Sequence, residues 1–182
     1  EKVKIVIVKV TSSFAYGKIL EILEKSEERV KDIDCSTYKR CGGCNLRHIN
    51  YLSTLKLKKN IVQNLVNKTL KEKIEVKDTI GMENPFNYRN KAQYPVGTDK
   101  EGNPVIGVFA NRTHEVIEIK ECMIQNKHSE EIAKYICEFA KENNVSVYNE
   151  ANQKGLLRHI VIKVGVKTNE IMCVLVLNGR KF

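Results

Sequence analysis

Three thiols fall within ten residues in CSTYKRCGGC, at positions 35–44, with five and then two residues between Cys35, Cys41 and Cys44. Gly42 and Gly43 let the backbone turn sharply enough for neighbouring thiolates to face one centre. Thiolate is a soft ligand that suits zinc or an iron–sulfur cluster, and three ligands leave such a site one short. Cys137 stands among the apolar positions of a predicted helix, and Cys173 alternates with Ile171 and Leu175, so both are expected to be small core residues. Cys122, in EIKECMIQ, follows a predicted strand and is the candidate fourth ligand. Three readings stay open: a cubane cluster, a zinc ion, or unrelated thiols. Structural zinc sites usually bring two tight Cys-x-x-Cys pairs, whereas three clustered cysteines with one distant partner suit a cluster. His48, His114, His128 and His159 show no ligand spacing among themselves.

Charge is the second chemical signal. The chain has 182 residues and a formal net charge of +9. Residues 35–71 carry Lys39, Arg40, Arg47, Lys56, Lys58, Lys59, Lys68 and Lys71 without an acid. Residues 84–98 add Arg89 and Lys91, and 151–169 add Lys154, Arg158, Lys163 and Lys167, again without Asp or Glu. These stretches hold 14 of the 31 Lys and Arg and none of the 22 acids, a segregation that points to a polyanion as partner. A solvated lysine-rich face is the plainer alternative.

Elements must hold these groups in place. VKIVIVKV (3–10) and AYGKILEIL (15–23) read as two arms of a hairpin in a small β-barrel. From Asn50, a candidate N-cap, Tyr51, Leu52, Leu55, Val62, Leu65, Val66 and Leu70 mark the apolar side of a helix whose other side is lysine-rich. A Gly/Asn/Pro-rich break follows at 81–87. Strands are expected at 88–96, 104–110 and 114–120, with a turn at 99–103. A helix at about 128–142 is expected to bury Ile132, Ile136, Phe139 and Ala140, and a closing hairpin to occupy 157–166 and 170–177. The class is α+β. No apolar run reaches the roughly 18 residues of a membrane span and no signal peptide is visible, so a cytoplasmic monomer with no membrane partner is the expectation. The absent initiator Met, a first residue at the threshold of a strand and a last strand running into NGRKF predict an excised or incompletely ordered fragment.

RCGGCNLRHINYLSTLKLKKNIV, YRNKAQYPVG, IGVFANRTHEVIEIKECMIQ and GLLRHIVIKVG, in this order, resemble the S-adenosylmethionine-dependent RNA (uracil-5-)-methyltransferases, in the subgroup with a TRAM domain and an iron–sulfur cluster. The resemblance covers nearly the whole chain. It implies a [4Fe–4S] cluster on Cys35, Cys41, Cys44 and Cys122. It also implies three parts: residues 1–30 as the last strands of an OB-like TRAM barrel, 31–74 as the cluster loop and basic helix, and 75–182 as a central RNA-binding domain with an open, mainly antiparallel sheet. A Rossmann-like methyltransferase domain should lie elsewhere, since no G-x-G type strand-to-helix loop occurs. Neither a catalytic residue nor an S-adenosylmethionine site is therefore expected in this chain.

The implied reaction adds a thiolate to C6 of a flipped uracil, methylates C5 and removes the C5 proton. The chain's share would be the grip on RNA, ribosomal ahead of transfer RNA, through Arg40, Arg47, Lys56, Lys59, Tyr88, Arg89, Lys91, Arg112, Arg158 and His159. Tyr88 and Tyr94 are equally open to core or strand-pair roles, Phe109 is expected in the core, and Arg158 could instead pair with an acid in the sheet. A cluster would serve as a staple, because this methylation needs no electron transfer. Two other functions fit less of the sequence: a ferredoxin-like carrier, opposed by the positive charge, and a self-contained RNA-binding module with a metal or cluster staple.

Overall fold

A computed structural model describes residues 1–179. The chain divides into two units, one formed by 1–32 with 46–80 and the other by 33–45 with 81–182. The cysteine loop belongs to the second unit and the basic helix to the first.

In the first unit, β1 (Lys2–Val10) and β2 (Ala15–Glu24) form a two-stranded antiparallel ribbon. There is no closed barrel among the described residues. Alternation of Val and Ile makes the strands, but both faces of the ribbon stay exposed: Ile5, Val6, Ile7, Val8, Ile19 and Leu20 all lie at or above 42% exposure. Helix α1 (Tyr51–Thr69) begins where expected, with the Asn50 side chain accepting the Ser53 N–H at 2.9 Å. Its expected apolar side is covered only in part, with Tyr51, Leu55 and Val66 half-buried. Leu52, Val62, Leu65 and Leu70 are exposed, and the buried residues are Ser53 and Thr54. The reason is the polar seam that docks the following segment. Gln63 donates to the Ile74 carbonyl and accepts the Val76 N–H, each at 2.8 Å, and the Thr79 hydroxyl donates to the Leu55 carbonyl at 3.1 Å.

The second unit carries an antiparallel five-stranded sheet in the order β5-β4-β3-β6-β7, from β3 (Lys91–Thr98), β4 (Pro104–Phe109), β5 (Val116–Glu118), β6 (Leu157–Val164) and β7 (Ile171–Leu177). The turn between β3 and β4 is closed by Asp99, whose carboxylate accepts the Glu101 and Asn103 backbone N–H groups at 2.9 and 2.8 Å. Helix α2 (Lys127–Glu142) packs on one face. Ala92 pairs with Ile162 and Tyr94 with Ile160, and all four are fully buried together with Leu157, Ala133 and Ala140. Two expectations change here. Phe139 is 43% exposed, because Ala133, Cys137 and Ala140 make the helix stripe that meets the sheet. Cys173 is exposed although its cross-strand partner Ile162 is buried, because β7 is an edge strand. Cys137 is buried as expected, and burial pushes its thiol up to about 12. Among the described residues no helix is long and apolar enough to cross a membrane.

Candidate cysteine centre and nucleic-acid interface

The cysteine loop is built from short backbone turns. The Tyr38 N–H donates to the Cys35 carbonyl at 3.3 Å, and the Arg40 and Cys41 N–H groups donate to the Thr37 carbonyl at 3.0 and 2.8 Å. The loop is joined to the rest of its unit at the end of β4. There Cys41 bridges Ala110 in antiparallel fashion and the Asn111 N–H donates to the Arg40 carbonyl at 2.9 Å. A sulfur at such a turn collects donors: the Gly43 N–H points at the Cys41 sulfur at 3.3 Å.

Cys122 belongs to the same unit and lies between β5 and α2. Its backbone N–H donates to Glu130 Oε1 at 2.7 Å, which fixes the segment onto α2. Burial raises its thiol, the backbone N–H groups of Ile124 and Gln125 work the other way, and the charges of Glu130 and Cys35 raise it further. For Tyr94, burial first and then the charges of Glu130 and Cys122 raise the hydroxyl, which is buried without a hydrogen-bond partner. Cys35, Cys41, Cys44 and Cys122 are all half-buried. As donors they suit a thiolate-bound metal, and N–H groups aimed at sulfur suit the charge such a site carries. Their geometry stops short of one, because among the described residues no group of three Cys, His, Asp or Glu is placed to hold a metal ion.

The basic candidates are divided between the units. In the first, Lys56 is exposed and Arg47 half-buried, and Lys59 bonds to Asp78 at 2.8 Å, which raises the Lys59 ammonium. In the second, Tyr88 is 52% exposed and Arg89 and Lys91 are exposed beside it, with the Arg89 N–H fixed on the Ile124 carbonyl at 3.0 Å. Arg112 occupies the turn between β4 and β5 with φ of 62° and an exposed side chain.

Three candidates of the second unit are engaged within the protein. Arg40 pairs with Glu115 at 2.6 Å in the open. Arg158 forks onto Glu150 with bonds of 3.0 and 3.1 Å and lies 4.8 Å from the centre of the Tyr148 ring. The paired alternative is thus the one found for Arg158. Its partner lies one residue outside the acid-free stretch that drew attention to it. His159 is half-buried with its ring 6.1 Å from Phe109, and its Nδ1 is buried without a partner; burial and then Arg158 lower its basicity. Phe109 also meets His114 edge-on at 5.5 Å, so it is a half-buried member of a small aromatic group and not a core residue. Tyr94 is fully buried and leaves the list of RNA-facing aromatics.

No family profile matches the chain. An uncharacterized RNA methyltransferase of Clostridium acetobutylicum is 45% identical over 181 residues, covering 98% of this chain and 39% of its own length. An uncharacterized RNA methyltransferase of Staphylococcus aureus is 39% identical over 183 residues, covering 100% of the chain and 40% of its own. The chain is homologous to these RNA methyltransferases over nearly its whole length. It spans about two-fifths of the length of these relatives. Among solved structures, the Pyrococcus abyssi tRNA (uracil-54, C5)-methyltransferase in complex with S-adenosyl-L-homocysteine matches with a TM-score of 0.68 and 25% identity, over 97% of this chain and 39% of that one. This RNA methyltransferase homologue is thus α+β and mainly antiparallel, as its resemblance implied.

Proposed function

We propose that this chain is the RNA-gripping part of an S-adenosylmethionine-dependent RNA uridine C5 methyltransferase. The observation that carries the reading is the similarity over 97% of the chain to a tRNA (uracil-54, C5)-methyltransferase crystallised with S-adenosyl-L-homocysteine. The methyl donor and the reacting groups belong to the remainder of such an enzyme. This chain's residues would hold a loop open: exposed Arg89, Lys91 and Arg112 neutralise phosphates, and Tyr88 offers a face for a splayed base. Arg158 is rigidified by Glu150 and Tyr148, so its role is to shape the sheet end beside His159.

Cys35, Cys41, Cys44 and Cys122 would hold an iron–sulfur cluster that ties the loop to the segment before α2 as a structural staple. What supports this is their placement in one unit and their half-buried thiols. Anaerobic reconstitution of the chain should bind iron; Cys122→Ser should lose it, while Cys137→Ser and Cys173→Ser keep it. Stoichiometric zinc in the native protein, or iron retained by Cys122→Ser, would overturn the assignment.

Ribosomal RNA is the substrate implied by the resemblance, and transfer RNA is the one named for the solved neighbour. The full product of the gene, given labelled S-adenosylmethionine and each RNA in turn, should form 5-methyluridine in one of them. Formation in neither would refute the reading.

A further inference from the structure

Residues 2–20 contain Lys2, Lys4, Lys9 and Lys18 and no Asp or Glu, an acid-free stretch as clear as those in the middle of the chain. Its outer half is the tip of the β1–β2 hairpin. The turn there is locked by Thr11 from several sides. Its hydroxyl donates to the Phe14 carbonyl at 2.6 Å and accepts the Phe14 N–H at 3.1 Å, and its own N–H donates to the same carbonyl at 2.8 Å. Phe14 therefore leaves the turn at a fixed angle.

Side chains alternate along a strand, so positions 14, 16 and 18 share one face, and Lys9 lies directly opposite Tyr16. On the opposite face at the tip β2 carries Ala15 and Gly17, paired across the ribbon with Val10 and Ile7. Phe14 and Tyr16 meet edge-to-face, with ring centres 5.2 Å apart and planes at 75°. They support each other, and yet they are 55% and 51% exposed. An edge-to-face pair leaves ring faces free for a third planar group. Neither Lys9 nor Lys18 forms an ion pair among the described residues. Two rigidly held, half-exposed aromatics flanked by two cations and no acid form a surface suited to a ligand that is at once planar and anionic.

We infer that this hairpin tip is a stacking platform for unpaired nucleotides of RNA, with bases on the Phe14 and Tyr16 rings and phosphates on Lys9 and Lys18. It rests on the proposal that RNA is the partner. Charge complementarity selects this occupant over an apolar protein surface, which would leave both ammonium groups without counterions. Stacking is tolerant of base identity because every base has a π-face, so the platform holds the strand and leaves the choice of uridine to other groups.

Binding of the 182-residue chain to a labelled single-stranded RNA, to the same strand with abasic sites, and to a duplex tests this. Phe14→Ala and Tyr16→Ala should each weaken binding to the single strand about 5- to 100-fold and leave binding to the abasic strand unchanged. Phe14→Tyr, with the ring kept, should bind as the unaltered chain does. Lys9→Gln and Lys18→Gln should weaken all three RNAs alike and flatten the salt dependence by about one unit each. Circular dichroism of each variant separates lost contact from lost fold. Unchanged single-strand affinity in the folded alanine variants, or equal losses on the abasic strand, would overturn the platform while leaving the RNA reading intact. So would a dimer of the unaltered chain that Phe14→Ala converts to monomer, since the tip would then be a protein contact. If the unaltered chain binds none of the RNAs, the reading beneath the platform falls with it.

Discussion

The ribbon β1–β2 and the pair β3–β6 are made from the same kind of sequence, yet they end in opposite environments. Ile5, Ile7 and Ile19 of the ribbon are 48%, 50% and 58% exposed, while Ile160 and Ile162 of β6 are fully buried. β-Branched residues in alternation make a strand in both cases, because they suit the pleated backbone. Burial needs a second layer. In the second unit α2 supplies it, with Ala133, Cys137 and Ala140 set against the sheet; the ribbon has no such cover among the described residues. The edge strand β7 repeats the contrast within one sheet, since exposed Cys173 pairs with buried Ile162.

The comparison is most strongly tested by truncating equivalent isoleucines. Ile160→Ala should destabilise the second unit by about 2–5 kcal/mol, the usual cost of a cavity in a packed core, measured by denaturant titration with amide exchange on β6. A loss below about 1 kcal/mol would mean that the sheet–helix core is not packed as described.

A backbone position of the same core comes next. Gly155 has φ of 101°, and a Cβ there would stand 2.0 Å from the Val147 carbonyl oxygen, so Gly155→Ala should cost about 1–3 kcal/mol in the same measurement. A neutral result would show that the 147–155 turn rearranges freely.

Glu130 sharpens the contrast through pH. Burial raises its carboxyl above the ordinary range, only partly offset by the Cys122 N–H that it accepts. The folded state therefore binds this proton more tightly than the unfolded chain does. Its contribution to stability is present at pH below the ordinary carboxylate value and is lost as pH rises through the raised native value. Glu130→Gln should remove that decline from the thermal stability profile of the second unit while keeping an acceptor for Cys122. A decline of the same size in the variant would assign it to another group.

The smallest effect belongs to the ribbon. Ile7→Thr keeps a β-branched side chain at a half-exposed position and should change stability by no more than about 0.5 kcal/mol. A loss approaching that of Ile160→Ala would mean that the ribbon face is covered in solution.

Much of this was legible one residue at a time. The Asn50 cap, the Asp99 turn, the strand runs read at 104–110, 157–166 and 170–177 and the Cys137 position in the helix stripe all come from local stereochemistry and periodicity, which act between near neighbours. Segregated lysines pointed to a polyanion because charge composition needs no fold to be counted. The family resemblance was likewise legible in short ordered motifs. Tertiary structure decided what depends on distant partners. It placed Glu150 and Tyr148 against Arg158, turned Leu52, Val62 and Leu65 of α1 outward behind a polar seam, buried Tyr94 and left Phe139 and Cys173 exposed. It also assigned the cysteine loop to the unit of Cys122, 78 positions beyond Cys44 in the sequence. Periodicity says which side chains share a face, but only the packing of another element onto that face excludes water from it.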